Sequence, residues 1–180
     1  MNKFIKASHI SIWQPIIMFA VLFVFAVAVA SITSPSMALT VAAIFAVMWL
    51  LVIAAELRIV KTGLSVENGD IYYHGFFKSK KIDPMDMKAC VIVKSQGETR
   101  FSTYDLKDRN KNPLYSMVFF NNIDRRDIKS IEALGRFYGD MSLQRAYRKK
   151  VEFSVIYDED FVNYVSRLNP EIKIVDLRKN

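Results

Sequence analysis

Cysteine and histidine are scarce in this 180-residue chain, which has one cysteine, Cys90, and two histidines, His9 and His74. A single cysteine excludes an intrachain disulfide and a zinc site built from thiolates. Neither histidine has a second ligand at the spacing of a known metal motif. We therefore predict no metal site, and we interpret His74 as a strand residue that faces water or a turn.

Motifs for phosphate binding and nucleophilic catalysis are also missing. The six glycines form no phosphate-binding loop, and no serine lies in a nucleophile elbow. Cys90 lies in an apolar segment, where a buried, inert thiol is the usual outcome. Acid pairs near turns, such as Asp83 with Asp86, are expected to cap helices and form turns. The sequence thus predicts no catalytic residue, no cofactor and no enzyme.

Charge is absent from two long stretches, residues 13–32 and 37–55, which contain no Asp, Glu, Lys or Arg. At about 1.5 Å per residue, each stretch can cross a hydrocarbon core of about 30 Å. Backbone groups in lipid must bond within their own segment, which favours helices. Pro35, in the polar turn 33–36, interrupts helicity. We predict a transmembrane hairpin with spans 13–32 and 37–55.

A cleaved signal peptide is the alternative for the first stretch. Ala28 and Ala30 before Ser31 suit a signal peptidase, and Lys3 and Lys6 suit a basic leader. However, the apolar run exceeds the about 7–15 residues of a signal core, and a second apolar run follows at once. We therefore favour an uncleaved hairpin.

Basic residues flank the hairpin on one side only. Lys3 and Lys6 precede the first span, Arg58 and Lys61 follow the second, and the turn between the spans is uncharged. Under the positive-inside rule, both chain ends lie in the cytoplasm. The predicted location is therefore a bacterial inner membrane, crossed twice.

The predicted boundary divides the chain into an N-terminal segment with the hairpin, 1–61, and a cytoplasmic domain, 62–180. Residues 1–11 are expected to continue the first helix at the interface. Thr62-Gly63 is expected to stop the second helix, because Gly readily adopts the left-handed conformation that ends helices. All 18 acidic residues follow position 55, as do all but two of the 25 Lys and Arg. The domain's mild positive charge suits an anionic leaflet, and its scattered basic residues predict no nucleic acid partner.

Beyond the hairpin the pattern alternates between apolar and polar residues and is broken by tight turns, which predicts strands. Asn68-Gly69 is a strong hairpin turn. The predicted strands are 64–67, 70–77, 89–94, 99–104, 114–120 and 151–157. Several short strands in succession favour an antiparallel barrel or sandwich.

A resemblance to a known family begins at Thr62. The run T-G-L-S-V-E-N-G-D-I-Y-Y-H-G-F-F (62–77), followed by K-K-I-D-P-M-D-M (80–87), resembles the opening of bacterial pleckstrin-homology-like domains. In that family a strand pair meets a short I-P-x-x-D-I segment, and many members join two spans to the domain. Here Asp83 is inserted before the proline, and Met87 takes the last apolar place.

The resemblance implies a seven-stranded bent sheet closed by a C-terminal helix. Residues 158–168 suit that helix, because acids begin it and Phe161, Val165 and Leu168 share one face. The predicted fold is a membrane protein of the α+β class, with an N-terminal two-helix transmembrane hairpin. A cytoplasmic pleckstrin-homology-like antiparallel β-barrel or sandwich with a C-terminal helix follows the hairpin.

A helical insertion near 122–150 departs from the family pattern. Apolar residues at helical spacing predict a helix over 122–138, with Asp124 as N-cap and Gly135 or Gly139 as stop. Residues 141–150 suit a loop or a short helix. At this point either role is open for the insertion, completing the barrel or forming a separate docking arm.

Two basic groups are candidate contacts for lipid or a partner: Lys78, Lys80 and Lys81, and Arg145, Arg148, Lys149 and Lys150. In the resembling fold, early loops form an open end where eukaryotic relatives bind phosphoinositide headgroups. Lysines near a membrane surface contribute about 1 kcal/mol each. The alternative for the first group is a solvated edge strand, where Lys discourages edge pairing. The second group suits headgroups, a partner protein or only solvent.

The predicted function is binding: a membrane-anchored regulatory protein that acts through protein or lipid contacts at the cytoplasmic face. The resemblance adds a role in immunity to membrane-active peptides or in envelope stress. The alternative is an accessory subunit of a larger transport, secretion or conjugation complex. In either case, the Ala-rich spans are expected to pack against a membrane protein partner or a copy of the chain.

Overall fold

The computed structural model describes residues 3–7, 13–98 and 103–178. It divides the chain into two compact units. A helical unit comprises Ile10–Thr62, and an α+β unit comprises Met1–His9 together with Gly63–Asn180. The α+β class with N-terminal helices is therefore confirmed, whereas the first residues belong with the sheets.

The helical unit contains α1 (Trp13–Thr33) and α2 (Pro35–Val60), so helices occupy both predicted spans. Ser34 alone separates them, and its hydroxyl accepts a hydrogen bond from the Met37 amide at 3.1 Å. The turn is shorter than predicted because Pro35 begins α2, where its missing N–H costs nothing. α2 ends at Val60 with Lys61 as C-cap, so the helix stops just before Thr62-Gly63, as predicted. The predicted left-handed conformation is wrong, since Gly63 has no positive φ and begins a strand.

Aromatic rings join the two helices. The ring of Phe45 on α2 lies 5.8 Å from that of Phe19 and 6.1 Å from that of Phe23. Among the described residues, only Pro35–Val60 is long and apolar enough to be a clear membrane-span candidate. The apolar stretch of α1, Ile16–Ile32, is shorter, within a range of 10–17 residues.

The first sheet is antiparallel with the order β1-β2-β3-β4. Its strands are β1 (Lys3–Lys6), β2 (Gly63–Glu67), β3 (Asp70–His74) and β4 (Ser79–Ile82). The predicted hairpin turn is confirmed, because Asn68 (φ 52°) and Gly69 (φ 91°) both adopt the positive φ that a two-residue type I′ turn requires.

The prediction that residues 1–11 continue the first helix is wrong at Lys3–Lys6, which form β1. Ile5 is 5% exposed and packs in the core between the sheets. Gly63 opposite β1 allows this close pairing, since a Cβ there would fall on the carbonyl oxygen of Ile5. Burial of Ile5 in this core favours the strand conformation of the segment.

The second sheet has the order β10-β5-β8-β9, and a two-stranded sheet pairs β6 with β7. The strands are β5 (Ala89–Lys94), β6 (Gln96–Glu98), β7 (Thr103–Asp105), β8 (Tyr115–Phe120), β9 (Val151–Ile156) and β10 (Lys173–Asp176). β10 runs parallel to β5, so the sheet is mixed, and the described strands close no barrel. Residues 99–102 of the predicted strand 99–104 lie outside the described part.

Three helices complete the α+β unit: α3 (Arg125–Phe137), α4 (Asp140–Ala146) and α5 (Glu159–Leu168). The prediction of Asp124 as N-cap is confirmed, and Asp127 completes its capping box. Gly135 as a stop is wrong, because it lies inside α3, where an added Cβ would lie 2.6 Å from Cδ1 of Leu177. The other predicted stop, Gly139, directly follows Tyr138, the C-cap of α3, and is also the N-cap of α4.

Two apolar clusters hold the α+β unit together. One lies between the two sheets and receives α5; fully buried Phe119 lies at its centre, with its ring 4.8 Å from that of Phe153. The other lies between the second sheet and α3 with α4, where Phe120 packs with Ile131 and Leu143. The insertion therefore covers a sheet face. The predicted apolar face of α5 is wrong only at Leu168, which is 41% exposed.

Candidate functional site

The three lysines of the first predicted group do not form one cationic patch. Lys80 Nζ lies 2.5 Å from Glu152 Oε1, and Lys81 Nζ lies 2.8 Å from Asp70 Oδ2. The hydrogen bond from Lys81 lowers the pKa of Asp70. These two lysines line the exposed edge strand β4 with their charges balanced. Lys78 is exposed and pairs with no acid of the described residues.

The second predicted group is also divided. Arg145 belongs to α4, and the other three residues lie between α4 and β9. Lys150 Nζ lies 2.6 Å from Asp127 Oδ2, and this hydrogen bond lowers the pKa of Asp127. Lys150 therefore joins the start of α3 to the start of β9. Arg148 and Lys149 are exposed and pair with no acid in the described part of the chain.

A polar cleft of about 290 Å³ lies between the end of β4 and the start of β9. Three lysines and three carboxylates line it: Lys80, Lys81, Lys88, Asp83, Asp86 and Glu152. Asn121 donates a hydrogen bond to Glu152 Oε2 at 2.7 Å, and its own Oδ1 is buried without a partner among the described residues. Because its charges balance, the cleft does not by itself favour an anionic ligand.

Sequence reasoning singled out Lys80, Lys81 and the acids after them, but it missed Asn121 and Glu152. These two residues reach the cleft from the end of β8 and the start of β9, which are 31 positions apart in the chain. Only the pairing of the strands brings them to Lys80. No local pattern in the sequence indicates that meeting.

The loop between β3 and β4 was predicted as part of a strand, and the structure corrects this. β3 ends at His74, and the aromatic loop, Gly75-Phe76-Phe77-Lys78, follows. The Gly75 amide donates to the Lys78 carbonyl at 2.9 Å and closes the loop. Phe77 is 82% exposed and Phe76 is 38% exposed, and their rings meet edge-on at 4.7 Å. The signal available in the sequence is the pair of phenylalanines directly after a glycine.

His74 lies at the end of β3, and both of its ring nitrogens meet hydroxyl groups. Nε2 lies 2.7 Å from Ser65 Oγ, and Nδ1 lies 2.8 Å from Ser79 Oγ. The imidazole thus joins β2, β3 and β4. No group of three His, Cys, Asp or Glu in the described residues is placed to hold a metal ion.

Asp83, Asp108 and Asp158 serve the local structure, as predicted. The Asp83 carboxylate caps the short 3₁₀ helix Pro84–Asp86, and Asp158 caps α5. Asp108 accepts hydrogen bonds from the amides of its own turn. Cys90 is fully buried in β5, and burial raises the pKa of its thiol. The thiol is therefore protonated and inaccessible in the native fold.

Comparison of the chain with protein-family models, with curated proteins and with solved structures finds no match. The geometry of the described residues is therefore the basis for a functional proposal. That geometry has two prominent features: a long apolar helix without buried residues and an α+β unit that presents an exposed aromatic loop.

Proposed function

We propose that this chain is a membrane-anchored binding protein. In this proposal α1 and α2 span a bacterial inner membrane, and the α+β unit binds lipids or proteins at the cytoplasmic face. The observation that carries the proposal is α2, which has 26 residues and a mean hydropathy of 2.6 in its most apolar window. None of its residues is buried. A helix that is apolar all round and unburied is suited to lipid as its solvent.

The pairing of β1 with β2 supports two crossings. β1 precedes α1 and β2 follows α2, and the two strands pair in one sheet, with Ile5 opposite Leu64. Paired strands lie on the same side of a membrane, so the chain between them crosses an even number of times. A crossing by α2 therefore requires one by α1, whose 21 residues extend over about 31 Å at about 1.5 Å per residue.

The flanking charges support cytoplasmic termini. Lys3 and Lys6 come before α1, Arg58 and Lys61 come at and just after the end of α2, and the junction at Ser34 is uncharged. Positively charged flanks are retained on the cytoplasmic side during insertion. The α+β unit then works beneath an anionic leaflet, which its mild positive charge suits.

The relation to pleckstrin-homology-like domains belongs to the same proposal. Two packed sheets with α5 inserted into their shared core support it, and the parallel strand β10 and the layer of α3 and α4 depart from it. A role in immunity to membrane-active peptides or in envelope stress rests on that resemblance alone. A fold by itself does not determine function.

Cysteine labelling in bacterial cells tests the anchor and its orientation. Native Cys90 is buried, so an introduced cysteine is the reactive one. Ser36→Cys, in the first turn of α2, is expected to react with a membrane-impermeant maleimide in intact cells. Asn122→Cys, on the α+β unit, is expected to react only after permeabilisation. Extraction of the chain by alkaline carbonate, or reaction of Asn122→Cys in intact cells, would refute the proposed topology.

Recovery of the tagged full chain in nanodiscs tests the binding role. Mass spectrometry of the material that stays bound distinguishes two outcomes. Lipid alone supports a self-contained module that acts at the bilayer. A stoichiometric membrane protein complex would instead make the chain a subunit of that complex, and the Ala-bearing faces of α1 and α2 would then be the first surfaces to mutate.

A further inference from the structure

The aromatic loop is an unusual surface for a water-facing hairpin. A phenylalanine with 82% of its surface exposed contributes nothing to the core of the α+β unit. The loop is short and closed by the hydrogen bond between Gly75 and Lys78, so Phe77 is held at the tip. Exposed aromatic side chains beside basic residues are typical of segments that lie in the membrane interface.

The strand register places this loop at one particular end of the first sheet. His74 is opposite Gly63 on one side and Ser79 on the other, and Gly63 is opposite Lys6. The end of β1, the start of β2 and the aromatic loop are therefore neighbours. The Asn68-Gly69 turn lies at the opposite end.

The chain enters and leaves the helices at that same end of the sheet. The segment after Lys6 leads to α1, and only Lys61 and Thr62 separate the end of α2 from Gly63. Two residues span about 7 Å at most. If the helices cross a bilayer, as proposed above, this connection holds the loop end of the sheet close to the bilayer surface.

The charges at this end complement an anionic surface. Lys78 and Lys6 are exposed and pair with no acid in the described residues, and residues 75–79 contain no acid. By contrast, Lys80 and Lys81 are balanced by carboxylates. The unbalanced cations therefore lie beside the exposed rings and not along the edge strand.

We propose that the aromatic loop is a membrane-inserting wedge. Phe77, supported by Phe76, enters the interfacial layer of an anionic leaflet, and Lys78 binds headgroup phosphates beside it. This inference rests on the proposed function, because it needs the helices to hold the α+β unit at the bilayer. The loop then fixes the orientation of that unit on the membrane.

Spin labelling of the full chain in vesicles tests the wedge. Phe77→Cys and the matched control Phe137→Cys, which replaces a phenylalanine of 83% exposure at the end of α3, are labelled with a nitroxide. The chain is reconstituted in vesicles of phosphatidylethanolamine with phosphatidylglycerol. The label at 77 is expected to collide more with oxygen than with a water-soluble nickel chelate, and the label at 137 is expected to do the reverse.

Two results would overturn the wedge while leaving the anchor intact. A label at 77 that is as accessible to nickel as the label at 137 places the loop in water. A label at 77 that is shielded from both reagents places it against protein, either a partner or a second copy. Failure of the chain to float with the vesicles is a separate result, which would refute the anchor and the wedge together.

Charge reversal tests the headgroup contact. Lys78→Glu in the Phe77→Cys background is expected to reduce the membrane-inserted population of the label about fivefold or more in anionic vesicles. Lys129→Glu, at an exposed lysine of α3 outside both predicted basic groups, is the matched control and is expected to leave the label unchanged. Equal effects of the two variants, or no dependence on phosphatidylglycerol, would contradict a headgroup contact by Lys78.

Discussion

Asn169 ties the end of α5 to the segment that leads into the central strand β5. It is 2% exposed, and its side-chain nitrogen Nδ2 donates to the carbonyl oxygens of Pro84 at 2.9 Å and Met87 at 2.8 Å. Asn169→Asp keeps the size and shape of the side chain but replaces the donor with an acceptor. An ionised carboxylate would then face two carbonyl oxygens in a buried site.

The structure gives the size of the penalty. Two lost hydrogen bonds cost about 1 kcal/mol each, and the Met87 carbonyl left without a donor adds about 1–3 kcal/mol. The Pro84 carbonyl still accepts from the Met87 amide at 3.2 Å. We expect a loss of about 3–5 kcal/mol near neutral pH, which is a large fraction of a typical domain stability of about 5–15 kcal/mol. The hydrogen bond from the Glu171 amide to the side-chain oxygen at position 169 adds no penalty, because the variant keeps that oxygen.

The penalty should depend on pH in a defined direction. A buried carboxyl facing carbonyl oxygens has a raised pKa, because only its protonated form donates a hydrogen bond. The hydrogen bond from the protonated carboxyl stabilises the folded state. That stabilisation is fully present below the unfolded pKa of about 4 and is lost as pH rises through the folded pKa. The variant should therefore approach wild-type stability near pH 4 and differ most near pH 8.

Labelling of Cys90 is a suitable assay because the thiol is unreactive until the α+β unit opens. The rate, divided by that of the urea-unfolded chain at the same pH, reports the open population. Asn169→Asp should raise that ratio about a hundredfold or more near pH 8. Exposed Asn122→Asp is the control and should change it little. An increase below about fivefold, or an equal increase at pH 5, would refute the reasoning.

Three further predictions concern other parts of the α+β unit. Phe119→Ala removes a fully buried ring at the centre of the core between the sheets, so it should cost about 3–5 kcal/mol in the same labelling assay, and a cost below about 1 kcal/mol would contradict the central position. Gly63→Ala puts a Cβ on the carbonyl oxygen of Ile5, so hydrogen exchange should show loss of protection at the amides of β1 with α5 unchanged; unchanged β1 protection would contradict the pairing. Lys150→Met removes the hydrogen bond that lowers the pKa of Asp127 below its ordinary 3.8, so an NMR titration should show that pKa rise. A lowered carboxyl pKa stabilises the fold above the unfolded pKa, and this stabilisation is lost as pH falls through the folded pKa. The stability of the variant should therefore differ from that of wild type least at the lowest pH.

Local chemistry was enough to predict several elements of this protein from sequence. The two charge-free stretches become α1 and α2, because a helix satisfies its own backbone wherever it lies. Asn68-Gly69 forms its turn because both residues tolerate positive φ. Asp124 caps α3 because its carboxylate reaches the amides two and three residues on. In each case the residues that interact are close in sequence.

Contacts between distant segments decided the rest. β1 is a strand because Gly63, some sixty positions away, lets it pair closely with β2. β10 lies parallel to β5 after α5, and no periodicity in a four-residue strand specifies that partner. The charge of Lys80 is balanced by Glu152, whereas Lys78, two positions away, lies beside Phe77 and pairs with no acid of the described residues. The sequence alone therefore determined the elements that form locally: α1, α2, the Asn68-Gly69 turn and the start of α3. The tertiary structure decided which charges are balanced and which aromatic rings stay exposed, because those depend on residues that only the folded chain brings together.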